Sequence, residues 1–272
     1  MSLDVITSLR TGAATDDGRR ASVTALLPPH VAARVPTPDN AVLADELHDA
    51  TASHPLAVHV PLWEAHVRRL VDASRAVCAI YPDEWRTAPS VHDILSSDAV
   101  AQLWEVTQAG PPHRCSLRLA ASGALRAVIA PLGAKPATTP VVRLDTCETR
   151  LEGPLTKLKT SSREAYDSAR ARVGGTLGAG DVFDALLWYR DGDEQVVTES
   201  SIANLIVESP QGDLYTPVFE HLLPGLLVKE LCRLGLVAER RITVADLVAW
   251  KNSHTFYLSN AVRGMFKVQL DL

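Results

Sequence analysis

The second half of the chain carries a series of short β-prone segments with few helical stretches between them. Runs rich in branched and aromatic residues predict strands at 141–144, 184–189, 195–198 and 202–208. A doubly wound parallel sheet needs a helix between successive strands, and this half shows no regular alternation of that kind. The pattern therefore favours a mixed α+β fold.

The first half combines one strand, one long helix and one hairpin. Residues 4–10 have the rough alternation of a strand, and an apolar stripe at helical spacing predicts a helix over 61–80, with Pro61 at its first position. Two β-prone runs, 114–119 and 125–132, flank a small-residue turn and predict a hairpin.

A linker is predicted between the two halves. The stretch 131–140 contains three prolines and a glycine among small residues, which is typical of a connection between domains. We therefore predict a domain of residues 1–136 and a second domain of residues 137–272.

Composition excludes several classes of function. The chain of 272 residues is 46% hydrophobic and 22% charged, with a net charge of -5, and it has no basic run of the kind that binds nucleic acid. No apolar stretch approaches the length of a membrane span, and no cysteine–histidine cluster predicts a metal site. The four cysteines form no close pair, which is typical of reduced thiols in a cytoplasmic protein.

A lysine near a predicted helix start is the first candidate for chemistry. Lys159 precedes a helix predicted over 162–173, where Ser161 and Glu164 have the spacing of a capping box. Lysine is the side chain that binds an aldehyde cofactor as a Schiff base. Lys157 competes for this role, and a solvated surface lysine is the alternative for either residue.

An acidic residue could serve the ring of such a cofactor. Glu199 follows a strand-like segment, and a carboxylate can pair with a protonated pyridine nitrogen and keep the ring electron-poor. The alternative is a solvated glutamate at the end of a strand.

Three further segments could bind a phosphate. The turn 223–225 opens a predicted helix, whose first backbone N–H groups bind phosphate without any side chain. Residues 259–261 form a second possible donor loop, and Arg69 could supply positive charge. A plain turn and a surface arginine are the alternatives.

Taken as an ordered set, these pieces resemble the fold type IV pyridoxal-phosphate (PLP) enzymes, which include branched-chain and D-amino-acid aminotransferases and aminodeoxychorismate lyases. The resemblance implies a two-domain fold, with a small α/β domain and a larger mixed-sheet pseudo-barrel domain, and it implies a homodimer. The motifs in chain order are His66–Leu70, Lys159, Glu199 with Asn204, Thr216–Pro217, Leu223–Gly225 and Ser259–Gly264.

The resemblance also implies roles for individual residues. Lys159 is similar to the Schiff-base lysine, and it is favoured over Lys157 because Ser162 and Arg163 follow it much as an Asn-Arg pair follows the family's lysine. Glu199 is similar to the partner of the ring nitrogen. The implied phosphate ligands are Arg69, the amides of Leu226 and Leu227, and the loop at Asn260 and Ala261.

Within the family, two stretches are similar to those of the lyases, namely 159–167 and 259–264. Two departures, Ser162 in place of an asparagine and Val228 in place of an arginine, concern the substrate more than the cofactor. A small-molecule substrate with carboxylates would be bound by arginine. The candidates, each of which could equally be a surface residue, are Arg10, Arg114 and Arg118. An aminotransferase is the alternative activity, and a non-catalytic scaffold is the alternative of another class.

Overall fold

The segment around Lys159 belongs with the first half of the chain, although residues of the second half flank it on both sides. This is seen in a computed structural model that describes residues 3–11, 23–35, 46–108, 110–133, 138–177 and 180–272. Unit 1 comprises Met1–Gly133 with Leu158–Ser162, and unit 2 comprises Ala134–Lys157 with Arg163–Leu272. The domain boundary predicted between 136 and 137 falls outside the described residues.

Unit 1 contains a three-stranded antiparallel sheet. Its strands are β1 (Val5–Arg10), β2 (His113–Leu119) and β3 (Leu125–Pro131), in the order β1-β2-β3. The turn between β2 and β3 includes Gly123, whose φ of 83° is a conformation that glycine adopts without strain. The predicted strand and hairpin are therefore confirmed.

A long amphipathic helix packs against β1. This helix, α3, runs from Trp63 to Ile80 and buries the stripe that includes Val67, Leu70 and Val77. The prediction that Pro61 occupies its first position is wrong, because Leu62 adopts a left-handed conformation (φ 61°) and the helix begins after it. The other helices of unit 1 are α1 (Pro29–Ala32), α2 (Glu46–Ala52), α4 (Val91–Leu95) and α5 (Asp98–Gln108), with 3-10 turns at Val23–Leu26 and Pro55–Val58.

Unit 2 is built on an eight-stranded mixed sheet that closes into a barrel. Six strands form a ring in the order β10-β11-β4-β5-β6-β7, which closes because β7 also pairs with β10, and β8 and β9 extend the sheet from β7. The strands are β4 (Val141–Leu144), β5 (Asp184–Asp191), β6 (Glu194–Ser200), β7 (Asn204–Glu208), β8 (Leu214–Pro217), β9 (Val237–Arg240), β10 (Thr255–Asn260) and β11 (Gly264–Asp271).

The predicted α+β class is confirmed, and the barrel core explains it. Leu186, Leu205, Leu258 and Leu270 come from four different strands and are buried together. Because β-strands place alternate side chains on opposite faces, Leu187 lies on the other face of β5. There it packs with residues of α6 (Glu164–Arg172).

Three helices accompany the barrel in the described part of unit 2, and the start of α6 differs from the prediction. The capping box at Ser161 and Glu164 is wrong: Arg163 occupies the N-cap position and makes no side-chain cap bond, while Ser161 Oγ accepts a hydrogen bond from Asp4 N. The other two helices are α7 (Leu226–Arg233) and α8 (Val244–Trp250). Within the described part of the chain, none of the helices has the length and apolarity that a bilayer crossing requires.

Candidate active site

The backbone of Lys159 is fixed by the edge of β1. Its carbonyl oxygen accepts a hydrogen bond from Ile6 N at 2.7 Å, and Ser161 N donates to Asp4 O at 2.9 Å. These two bonds frame an antiparallel bridge that brings the segment Leu158–Ser162 alongside the sheet of unit 1. The Lys159 side chain is half-buried, whereas Lys157 is exposed, and this difference favours Lys159 as the functional lysine.

His66 and Arg69 lie on α3, close enough for the charge of Arg69 to act on the His66 ring. The charge of Lys159 acts on the same ring. His66 is fully buried, and its Nδ1 lies 2.7 Å from Thr7 Oγ1. Burial, together with the positive charges of Arg69 and Lys159, lowers the pKa of His66 to about 3, so its ring is neutral at physiological pH. Its Nε2 is buried and has no hydrogen-bond partner among the described residues.

Arg69 remains a cation despite its surroundings. The residue as a whole is half-buried, but its guanidinium is desolvated, and burial lowers the pKa of Arg69 to about 10. It is therefore charged at neutral pH. A desolvated guanidinium is the group that proteins use to bind phosphate with strong, directional hydrogen bonds.

One face of the three-stranded sheet carries four arginines, which we call the arginine face. Arg10 lies opposite Arg114, and Arg118 lies opposite Arg126 in the strand register. Arg126 pairs with Asp4, with 2.7 Å between Nη2 and Oδ2. The Nε atoms of Arg10 and Arg118 are buried without a hydrogen-bond partner in the described part of the chain. Four guanidiniums and one carboxylate leave an excess of positive charge, which suits an anionic ligand.

In unit 2, three elements hold the carboxylate of Glu199. The residue lies in the buried part of β6, one position before the strand ends, and is 4% exposed. Its Oε1 accepts hydrogen bonds from Tyr166 Oη at 2.8 Å and from Leu223 N at 2.7 Å, and its Oε2 accepts one from Asn204 Nδ2 at 3.2 Å. Burial and the charge of Glu199 raise the pKa of Tyr166 well above its ordinary value, so the phenol is a permanent donor.

Two arginines, one at the N-cap of α6 and one within the helix, bond to the segment that follows Glu199. Arg163 Nη2 donates to the carbonyl oxygen of Ser201 at 2.5 Å, and Arg170 Nη1 donates to Ser201 Oγ at 2.8 Å. Ser201 Oγ in turn donates to Oδ1 of the buried Asp184 at 2.5 Å, and burial raises the pKa of that carboxyl. The chain that leads from β6 to β7 is thus held from two sides, which fixes the direction of Glu199.

The turn at Leu223–Gly225 opens α7 as predicted. Gly225 is the N-cap residue and makes no side-chain cap bond, so the first amides of α7, at Leu226 and Leu227, are not occupied by a capping side chain. Uncapped N–H groups at a helix start carry partial positive charge and bind anions.

The second predicted donor loop follows β10. Asn260 is the last residue of that strand, and its Oδ1 accepts hydrogen bonds from Val262 N at 3.0 Å and Arg263 N at 2.8 Å. The amides after Ala261 are therefore used to form the turn. The prediction that Asn260 and Ala261 contact a phosphate stays a prediction.

Sequence reasoning missed two members of this network. Tyr166 lies in the stretch 159–167 but was not predicted to belong to the site, and neither was Asp184. A signal for Asp184 was present, because this carboxylate interrupts the apolar run Val182–Leu187, and a charge at such a position needs partners.

Each unit contains donors that suit PLP. Unit 1 offers a half-buried lysine, a desolvated arginine and a buried histidine nitrogen that has no partner among the described residues. Unit 2 offers an uncapped helix start and a carboxylate that accepts from Tyr166, Asn204 and Leu223. Lysine binds the aldehyde of PLP, a carboxylate binds its ring nitrogen, and cationic or N–H groups bind its phosphate. The residues present therefore fit this cofactor.

Comparisons with known proteins agree with this chemistry. Residues 56–270 match the family described as Amino-transferase class IV. A search of curated proteins finds no match.

Among solved structures, a proposed amino-acid aminotransferase from Mesorhizobium loti is 19% identical, with a TM-score of 0.68 over 99% of this chain and 100% of that one. A proposed branched-chain amino acid aminotransferase from Thermotoga maritima is 18% identical, with a TM-score of 0.61 over 99% and 77%. A proposed 4-amino-4-deoxychorismate lyase from Legionella pneumophila is 16% identical, with a TM-score of 0.61 over 98% and 83%. At these identities the likeness concerns the fold.

The fold is that of the fold type IV PLP enzymes, with a small antiparallel sheet and a larger mixed barrel. The chain belongs to the class IV aminotransferase family, and it is a PLP-dependent enzyme. The predicted family and cofactor are confirmed.

Proposed function

We propose that the protein is a lyase that converts 4-amino-4-deoxychorismate to 4-aminobenzoate and pyruvate, a step in the synthesis of folate precursors. The arginine face carries this proposal. The substrate has two carboxylates, on the ring and on the enolpyruvyl group, and carboxylates favour bidentate pairing with arginine. Arg10, Arg114 and Arg118 offer more positive charge than one carboxylate needs, and two of them have a buried Nε without a partner among the described residues.

The sequence around Lys159 supports the same proposal. The stretch Lys159–Asp167 is similar to one in aminodeoxychorismate lyase domains, and two of its side chains make hydrogen bonds to the site of unit 2. Arg163 and Tyr166 hold Ser201 and Glu199, respectively. The likeness to a proposed lyase from Legionella pneumophila agrees with this at the level of the fold.

The proposed roles of the residues follow from their chemistry. When bound, the cofactor supplies an electron-poor ring that stabilises the electron pair left behind when a proton leaves the amine-bearing carbon. Glu199 pairs with the ring nitrogen and keeps it protonated. The phosphate ligands are Arg69, the amides of Leu226 and Leu227, and the Asn260–Ala261 loop.

Lys159 is the proposed catalytic residue. Its Nζ would hold the aldehyde of the bound cofactor, and with substrate present it would be a free amine. As a free amine, Nζ accepts the proton from the amine-bearing carbon and then donates a proton to the departing three-carbon fragment, which leaves as pyruvate. The remaining ring becomes aromatic, and this gain drives the elimination forward.

The alternative is an aminotransferase that acts on branched-chain or D-amino acids or amines with a keto-acid acceptor. The family match favours it as the second candidate, since the family takes its name from that reaction. Lys159 and Glu199 would serve both reactions, so the two differ in where the proton returns and in the need for an acceptor.

An assay without acceptor separates the two. Purified enzyme with PLP and 4-amino-4-deoxychorismate, but no keto acid, should release pyruvate and 4-aminobenzoate in equal amounts over many turnovers. A product that forms only when a keto acid is added would contradict the lyase and support the aminotransferase.

We also infer a cytoplasmic homodimer from the family resemblance and the cysteine pattern. Light scattering after size-exclusion chromatography should give twice the chain mass of 29.4 kDa. A monomer mass for the active, PLP-loaded enzyme would contradict the homodimer.

A further inference from the structure

The side chain of Asn204 links two parts of the unit 2 site. Its Nδ2 donates to Glu199 Oε2 at 3.2 Å and to the carbonyl oxygen of Leu223 at 3.0 Å, and its Oδ1 accepts from Gly225 N at 2.8 Å. A primary amide has two N–H groups, so both are used. Asn204 is 3% exposed. One buried amide therefore joins the carboxylate of Glu199 to the turn that opens α7.

Gly225 is shaped to accept Asn204. A Cβ at position 225 would lie 2.2 Å from Asn204 Oδ1, which is far closer than nonbonded atoms approach. The φ of Gly225 is -67°, a conformation open to any residue, so the backbone itself does not require glycine. The close approach of Asn204 is the reason for glycine at the start of α7.

Tyr166 offers a comparison, because it holds Glu199 from the other side. It donates to Oε1 at 2.8 Å, and the structure gives it no hydrogen bond to residues 223–225 within the described part of the chain. Tyr166 thus bonds only the carboxylate, whose Oε1 also accepts from Leu223 N, whereas Asn204 bonds the carboxylate and, in addition, two backbone groups of the turn.

We propose that Asn204 is a positioning residue that couples the ring-nitrogen carboxylate to the phosphate-binding helix start. It holds Glu199 and the first turn of α7 in a fixed relation, so that binding of the ring and binding of the phosphate reinforce each other. The inference rests on the roles proposed above for Glu199 and for the amides of Leu226 and Leu227. It does not depend on whether the reaction is elimination or amino transfer.

The test compares the affinities of the full chain, freed of cofactor, for PLP and for pyridoxal, which lacks the phosphate. The dissociation constant of pyridoxal divided by that of PLP, both measured by absorbance titration, reports the contribution of the phosphate. In Tyr166→Phe both ligands should bind several-fold more weakly, with the ratio unchanged. In Asn204→Ala the ratio should also fall, by about fivefold or more, since the helix start loses a hydrogen bond that holds it.

Gly225→Ala is an independent test that keeps every polar group. The added methyl displaces the Asn204 amide, so the ratio should fall here as well, and this variant serves if Asn204→Ala does not fold. A wild-type ratio in a folded Asn204→Ala or Gly225→Ala protein would overturn the coupling while leaving the cofactor roles intact. A ratio near one in the wild-type protein would overturn both the coupling and the role of α7. Failure of the acceptor-free pyruvate assay would overturn only the lyase.

Discussion

The Glu199–Asn204 pair of unit 2 and the histidine and arginines of unit 1 differ in how completely their polar atoms are bonded. In unit 2, both oxygens of Glu199 and all the polar atoms of the Asn204 amide have protein partners. In unit 1, Nε2 of His66 and the Nε atoms of Arg10 and Arg118 are buried without a hydrogen-bond partner among the described residues. The Glu199–Asn204 pair is therefore fully bonded as folded, although Asp184 Oδ2 and Ser259 Oγ of the same unit are buried without a partner among the described residues. The unit 1 groups are donors and acceptors that a ligand can use.

The buried groups of unit 1 without partners lower the stability of the ligand-free chain and are available to bind a ligand. A buried polar group without a partner costs roughly 1–3 kcal/mol, and an incoming anion that supplies the missing bond recovers that cost. The network of unit 2 is a preformed support, which stabilises the fold with or without a ligand. Substitutions in the Glu199–Asn204 network should therefore lower stability, whereas those of the proposed substrate ligands Arg10, Arg114 and Arg118 should lower activity more than stability.

The largest expected effect comes from Lys159→Ala. The variant loses both the anchor of the cofactor and the group that moves the proton, so turnover should fall on the order of 10³-fold or more. Lys157→Ala is the matched control and should stay within a few-fold of the wild type. Initial rates of pyruvate release measure both, and a severe loss in the control alone would reverse the assignment.

Arg118→Met tests the arginine face. Loss of a charge-assisted hydrogen bond to a carboxylate should lower kcat/KM by roughly 10- to 100-fold, while the free energy of unfolding of the ligand-free chain should be unchanged or higher, because a buried Nε without a partner among the described residues is removed. Arg126→Met should show the opposite pattern, because it leaves the buried Asp4 without its ion-pair partner. Urea unfolding measures the stability of both variants, and steady-state kinetics measures their activity. Equal losses of unfolding free energy in Arg118→Met and Arg126→Met would contradict the distinction between these two arginines.

His66→Gln tests the neutral histidine through pH. The folded-state pKa of about 3 lies below the ordinary value of 6.5, so the unfolded chain takes up a proton first as pH falls. The contribution of His66 is therefore complete above pH 6.5 and is lost progressively toward pH 3. Between pH 7 and pH 5 the wild type should lose about 2 kcal/mol more unfolding free energy than the variant. Urea unfolding at pH 7 and pH 5 measures this difference. If the wild type and His66→Gln lose the same unfolding free energy between the two pH values, the buried neutral His66 is contradicted.

Tyr166→Phe tests the hydrogen-bonded support of Glu199 in unit 2. The substitution removes one hydrogen bond to a buried carboxylate and keeps the ring, so the free energy of unfolding should fall by about 1–2 kcal/mol. Thermal and urea unfolding of the cofactor-free chain measure it. An unchanged unfolding free energy would mean that the bond between Tyr166 and Glu199 adds nothing to the support in unit 2.

Much of the fold follows from local patterns in the sequence. The hairpin of β2 and β3, helix α6 and the start of α7 were predicted because alternation, apolar stripes and glycine positions are properties of neighbouring residues. Strand β11 was not predicted, although it pairs with both β10 and β4 and so helps to close the barrel. Closure depends on pairing between distant strands, which local periodicity does not encode.

The site shows the same limit. The candidate residues were found from motifs, but their contacts join parts of the chain that lie far apart, as in the bond between Asp4 and Ser161 across 157 positions. The predicted capping box is wrong because Arg163, and not Ser161, is the N-cap residue of α6, while Ser161 Oγ accepts a hydrogen bond from Asp4 N. The role of Asn204 likewise depends on a turn 21 positions later.

The central claim is that Lys159 holds the cofactor, and a direct chemical measurement tests it. Borohydride reduction of the PLP-loaded enzyme fixes the cofactor to its lysine, and peptide mass spectrometry then locates the added pyridoxyl-phosphate group. The account predicts that the label lies on Lys159 at close to one per chain, with Lys157 unmodified. A label on Lys157, or spread over several surface lysines, would contradict it.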